Sequence, residues 1–228
     1  MAAVGATIGA IASNAEKVAA VAGAISSLDN PGFTWFGLAS EGGSRRNQMI
    51  IQNETDEVME LTKIYLYHGK VKIPPDPSIR AMAEDECLFH SAGSWSATGV
   101  SGIVTYKMQN DARLHILWDC PFNFDYSDNF IGLMLTNNSS QYLPTDDMFY
   151  NMYQYEGYDA LGLPSPSPGT RYDLVCCGPS HGYSHEAGRD KPWGHMRPCK
   201  VEDDKYLVVA TMGDRHATTS KISVIKKK

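Results

Sequence analysis

Residues 97–108 read Ala-Thr-Gly-Val-Ser-Gly-Ile-Val-Thr-Tyr-Lys-Met, a run of small, β-branched and aromatic residues with no helical period. It reads as a strand, and it is one of several. Met49–Ile51, Val58–Tyr67, Leu114–Trp118, Phe130–Thr136, Tyr206–Thr211 and Lys221–Val224 have the same character, and turn residues break the chain between them. Many short strands separated by turns predict a sandwich or a barrel. No strand–helix alternation of the βαβ kind is present. The expected fold is therefore mainly β.

Two segments depart from this pattern. Pro144-Thr145-Asp146-Asp147 predicts the start of a helix, with Thr145 as cap and two acids in the first turn. Met148, Met152 and Tyr155 then share one face, Phe149, Tyr153 and Glu156 the next, and Gly157 ends it. Residues 157–204, with the repeat Leu163-Pro164-Ser165-Pro166-Ser167-Pro168, read as a long irregular excursion holding at most one short strand near Tyr172–Val175.

The N-terminal stretch is the most unusual. Residues 2–28, AAVGATIGAIASNAEKVAAVAGAISSL, hold two charges, Glu16 and Lys17. Val4, Ile8, Ile11, Val18, Ile25 and Leu28 fall on one helical stripe, completed by Ala15 and Ala22. Asp29-Asn30-Pro31-Gly32 stops it. Such a helix runs about 40 Å, against a bilayer core of about 30 Å. A signal peptide needs a basic start, and none precedes Glu16. Permanent docking on a sheet and a conditional helix that enters a membrane later both fit the stripe. The domain reading is a helix over residues 1–30 and a sandwich over 31–228.

Bulk composition excludes some functions. The chain has 228 residues and a net charge of −6, from 20 basic and 26 acidic side chains. That balance argues against nucleic acid, and against attraction to anionic lipid by charge alone. Five cysteines do not make a disulfide framework, although a bridge from Cys199 to Cys176 or Cys177 stays open. His181, His185 and His195 lie near these cysteines, but no CxxC pair supports a structural metal. No nucleophile elbow, P-loop, dinucleotide fingerprint or HExxH is present, so neither an enzyme nor a cofactor is expected. Asn53-Glu54-Thr55, Asn137-Asn138-Ser139 and Asn138-Ser139-Ser140 form glycosylation triplets that say little by themselves.

Aromatic residues are the strongest local signal. Phe122, Phe124, Tyr126 and Phe130 alternate with Asn, Asp and Ser, a loop-like spacing that predicts exposed rings. Phe149, Tyr150, Tyr153, Tyr155 and Tyr158 follow. Such rings suit a headgroup zone, or a cage for a quaternary ammonium, or simply a core.

The segment Trp118-Asp119-Cys120-Pro121-Phe122-Asn123-Phe124-Asp125-Tyr126-Ser127-Asp128-Asn129-Phe130 resembles the lipid-binding loop of the actinoporins. Asp147–Tyr153 resembles that family's Tyr-rich second helix, residues 97–106 its Ala-Thr-Gly strand, and residues 2–13 its pore helix. Tyr206–Met212 and Ser220–Val224 are similar to its last two strands. Asp85-Glu86-Cys87-Leu88-Phe89 resembles actinoporin-like proteins of animals outside the sea anemones. The matches run in order along nearly the whole chain, apart from about residues 157–190.

The resemblance implies a β-sandwich flanked by two helices, the N-terminal one detachable. It implies a secreted pore-forming cytolysin, monomeric in solution and homo-oligomeric in the membrane, which docks on a choline- or ethanolamine-type phospholipid or sphingolipid. Related sandwiches include sugar-binding lectins, so the alternative is a non-lytic lipid- or glycan-binding module. By position, the headgroup site would be His68, Ser96, Asp119, Pro121, Phe149, Tyr153 and Gln154, with Phe124, Tyr126, Phe130 and Tyr150 touching the membrane. Asp119 stands where the family usually has Ser, Ser127 and Gln154 where it has Tyr, and Tyr67 where it often has Arg. A carboxylate at Asp119 favours a headgroup with N–H donors.

Overall fold

A computed structural model describes residues 45–93, 98–123, 128–136, 144–154, 171–176 and 198–227. The stripe at residues 2–28, the domain boundary near residue 30, and Ser96, Phe124 and Tyr126 lie outside the described residues. So does the Gln154 side chain. Among the described residues no helix is long and apolar enough to cross a membrane.

The described strands are β1 (Arg46–Glu54), β2 (Met59–His68), β3 (Lys70–Ile73), β4 (Ser78–Ile79), β5 (Ala83–His90), β6 (Val100–Lys107), β7 (Arg113–Cys120), β8 (Phe130–Thr136), β9 (Arg171–Cys176), β10 (Cys199–Glu202), β11 (Tyr206–Met212) and β12 (Ala217–Lys226). They form two six-stranded sheets. One has the order β10-β11-β12-β1-β5-β3 and the other β4-β2-β6-β7-β8-β9. The fold is a β-sandwich, as the strand pattern predicts. All pairings are antiparallel except β1 with β12, which run parallel from Arg46↔Ala217 to Glu54↔Ile225.

Alternation decides which face of each strand is dry. From the first sheet, Met49, Ile51, Phe89, Val208, Ile222 and Val224 point inward. Val104, Tyr106, Leu114, Ile116, Trp118, Ile131 and Leu133 meet them from the second. Phe89 and Trp118 touch across the core with ring centroids 4.3 Å apart.

The second sheet is apolar on its other face as well. Ile103, Leu117, Phe130 and Met134 alternate with core positions and form a second cluster with Met148, Phe149 and Met152. These last three lie on a helix, α1 (Asp146–Gln154). Its start follows the expected chemistry. The Met148 N–H donates to Thr145 Oγ1 at 3.2 Å, and Asp146 and Asp147 occupy the positive end of the helix dipole. The Tyr65 hydroxyl donates to the Asp146 carboxylate and ties α1 to β2.

Three sequence readings change here. Phe130 is not a membrane-facing ring. It is 4% exposed, because it opens β8 on the face that α1 covers. The excursion at 157–204 holds the short strand expected near Tyr172–Val175, as β9, which pairs with β8 from Phe130↔Cys176 to Leu135↔Arg171, and also a strand that was not expected, β10, which pairs with β11. The triplet at Asn53 is closed to a glycan. That side chain is 1% exposed, and its Nδ2 donates to the carbonyls of Glu57, Ile79 and Arg80 at 2.7, 3.1 and 3.0 Å.

Candidate functional site

A cavity of about 530 Å³ opens at one end of the second sheet, between the C-terminal ends of β2 and β7, the start of β6, and α1. It is lined by Tyr67 and His68, by Thr98, Gly99 and Ser101, by Asp119, Pro121, Phe122 and Asn123, and by Phe149, Tyr150 and Tyr153. Pairing register builds the floor. Ser101 lies directly opposite Asp119 on β6 and β7, and Asp119 lies opposite Phe130 on β8.

The walls are aromatic because α1 delivers three rings within five residues. Tyr67 stacks on Phe149 at 4.6 Å with the planes 12° apart, and Phe149 lies nearly parallel to Tyr153 at 5.8 Å. Phe130 supports Tyr153 from below at 5.0 Å. The hydroxyls of Tyr67 and Tyr150 share a hydrogen bond. That bond, with burial, holds the Tyr67 phenol up at about 12, so it stays protonated. Tyr150 and Phe122 stand at the rim, 38% and 42% exposed.

The rim loop is held from the far side. Arg45 Nε–H donates to the Pro121 carbonyl at 2.9 Å, a second guanidinium N–H donates to the Phe122 carbonyl, and the guanidinium sits 5.5 Å from the centre of the Phe122 ring. Gly99 permits the close approach of this loop to the start of β6. A Cβ there would lie 2.1 Å from the Cys120 carbonyl oxygen.

Two polar groups at the floor give the cavity its chemistry. Burial pushes the Asp119 carboxyl up to about 7, against a hydrogen bond with Tyr153 that favours the charged form. Ser101 is 1% exposed, and its Oγ has no hydrogen-bond partner among the described residues. A buried hydroxyl in a cavity wall can hydrogen-bond a ligand atom. Burial also lowers the basicity of His68. The aromatic faces attract a cation, the carboxylate pairs with one, and the hydroxyl can accept or donate.

Among the residues expected at a headgroup site, His68, Asp119, Pro121, Phe149 and Tyr153 line this one cavity. Tyr150, expected at the membrane, stands at its mouth. Tyr67, Thr98, Gly99, Ser101, Phe122 and Asn123 line it without having been singled out for the site. Ser101 was legible in principle, since it shares a strand face with Ile103 and Thr105. Nothing in a lone strand hydroxyl advertises a ligand.

No family model matches this chain. Tereporin-Ca1 of Terebra anilis is 29% identical over 195 residues, covering 85% of this chain and 90% of that protein. Among solved structures, the lipid binding protein Nakanori shares the fold with a TM-score of 0.56 at 10% identity, over 82% of this chain and 74% of that one. The Xerocomus chrysenteron lectin XCL covers 78% of this chain and 99% of its own at a TM-score of 0.38 and 11% identity, a likeness too loose to bear on function.

Proposed function

We propose that this protein is a secreted pore former that docks on a phospholipid or sphingolipid headgroup through the aromatic cavity, oligomerises, and inserts its N-terminal stripe into the bilayer. One observation carries the docking half. Stacked rings from β2 and α1 line one cavity with the Asp119 carboxylate at its floor, and the exposed rings of Phe122 and Tyr150 flank its mouth. A cavity of that make-up accepts an organic cation, while the rim rings suit the headgroup zone. The similarity to Tereporin-Ca1 over most of both chains is consistent with this reading. So is the sharing of a fold with a lipid binding protein.

The insertion half rests on the stripe Val4, Ile8, Ile11, Val18, Ile25 and Leu28, whose length suffices for a bilayer. Dye release from vesicles tests both halves together. Full-length protein is expected to release dye from vesicles of one sphingolipid class. A chain lacking residues 1–28 should bind those vesicles within about threefold of full length and release nothing. Release by the truncated chain would defeat the insertion mechanism. Binding without release by the full-length protein would leave a non-lytic lipid-binding module.

A further inference from the structure

We propose that Asp119, together with Ser101, makes this cavity selective for a primary-ammonium headgroup of the ethanolamine type over a trimethylammonium one. The inference rests on the headgroup-binding reading above and concerns which headgroup is chosen.

The aromatic walls do not choose by themselves. Phe149 is sandwiched between Tyr67 and Tyr153, so those two tyrosines and Tyr150 are the rings left to meet a ligand, and they attract any organic cation, a trimethylammonium included. The floor differs from the walls. Asp119 and Ser101 are directly paired across adjacent strands, so the carboxylate and the orphaned hydroxyl share one face of the sheet, and both line the cavity. A primary ammonium brings three N–H donors to those acceptors, and each pair formed is charge-assisted. A trimethylammonium brings none. It would cover the same oxygens with methyl groups, leaving the Ser101 hydroxyl without a partner and Asp119 with its Tyr153 bond alone. Sites built to hydrogen-bond a ligand reject the analogue that lacks the donor more strongly than apolar pockets reject a changed shape.

Selection of this kind depends on pH, because only the carboxylate form accepts all three donors. Among the described residues, the strand neighbours of Asp119 supply Ser101 and Phe130, α1 supplies Phe149, Tyr150 and Tyr153 and, at its start, the Asp146 carboxylate that like Asp119 acts on Tyr67, and β2 supplies Tyr67 and His68. Burial lowers the His68 imidazole and raises the Tyr67 phenol, both away from neutrality, whereas Asp119 is raised to about 7. As pH falls below about 7, the competent fraction drops, and affinity should weaken by up to about tenfold per unit.

The test is co-sedimentation with vesicles of ceramide phosphoethanolamine and cholesterol, set against vesicles of sphingomyelin and cholesterol. Wild-type protein at pH 8 should bind the first at least about tenfold more tightly, and Asp119→Asn should narrow the gap to within about threefold. A wild-type far-UV circular dichroism spectrum and a cooperative thermal transition show that the variant is folded. Millimolar phosphoethanolamine in solution should displace wild-type protein better than phosphocholine does. Equal binding of the two vesicles by wild-type protein, equal displacement by the two soluble compounds, or an undiminished preference in Asp119→Asn overturns the inference and leaves headgroup binding standing. Failure to bind either vesicle overturns the headgroup reading itself. A second measurement needs no variant: wild-type affinity for the ethanolamine-type vesicles should fall between pH 8 and pH 6, and a flat profile also overturns the inference.

Discussion

Asp119 is a costly residue to keep. Its carboxyl titrates near 7 in the folded chain because burial disfavours the charged form, against about 3.9 for an aspartate in water. Between those two values the folded state holds a proton that the unfolded state has lost, so stability falls as pH rises through that window. Asparagine keeps the shape and removes the charge. Asp119→Asn should therefore melt higher than wild type at pH 8, by about 2–4 °C for each kcal/mol relieved, and match it near pH 4. Thermal unfolding at the two pH values decides this. An equal difference at both would mean that the gain has nothing to do with ionisation. A residue that weakens the fold while equipping a cavity is what a binding role predicts.

At the scale of elements, α1 connects the sequence most directly to the site. Its nine residues place Phe149, Tyr150 and Tyr153 in the cavity and Met148, Phe149 and Met152 on the sheet. The Thr145 side chain accepts the Met148 N–H at its first turn. Thr145→Ala should cost about 1 kcal/mol of stability, and vesicle binding should weaken with it because three cavity rings ride on this helix. Binding unchanged by a melting loss of that size would separate the helix from the site.

The helix was legible because its cap, its acids and its apolar spacing agree with one another. The central strands β6, β7 and β8 were legible because they are buried on both faces and read as apolar runs. β5 was not, since Glu84, Asp85 and Glu86 hide the inward positions Cys87 and Phe89. Asp85 tolerates its burial by accepting hydrogen bonds from the Asp76 N–H and the Tyr106 hydroxyl. β10 was lost among prolines and histidines. At the site, the aromatic spacing drew attention to the right region, yet it misread Phe130. A ring that opens a strand takes the burial of its sheet face, whatever polar residues precede it. The Ser101–Asp119 pair could not be read at all, because cross-strand register is set by the whole sheet.

Across the whole molecule, the end of the sandwich near Glu57 is closed by charge. Glu57 sits in the turn between β1 and β2 and is 6% exposed. It accepts a 2.6 Å hydrogen bond from Tyr206 on β11 and a 2.7 Å one from Lys226 on β12. The same turn is locked from within, since Asn53 Nδ2 and Thr55 Oγ1 both donate to the Glu57 carbonyl. The carboxylate therefore joins the turn that leads from the first sheet into the second to the last two strands of the chain. Burial alone would raise its pKa, but the bonds from Lys226 and Tyr206 outweigh burial and hold it below the ordinary glutamate value. A depressed carboxylate contributes stability that is present above its unfolded pKa, about 4.3, and lost as pH falls through the folded value. Glu57→Gln should cost about 1–3 kcal/mol at pH 7, since it weakens bonds to a charged group that is almost fully buried. The same substitution should cost less as pH falls below the unfolded value and through the lower folded one, as wild-type Glu57 itself takes up a proton. Urea unfolding at pH 7 and pH 3.5 measures both. The cavity lies on the outer face of the second sheet, walled by α1, and does not include this turn. Vesicle binding at pH 7 should therefore be unchanged in Glu57→Gln while stability falls, and a parallel loss of both would show that the turn and the cavity are coupled through the sheet.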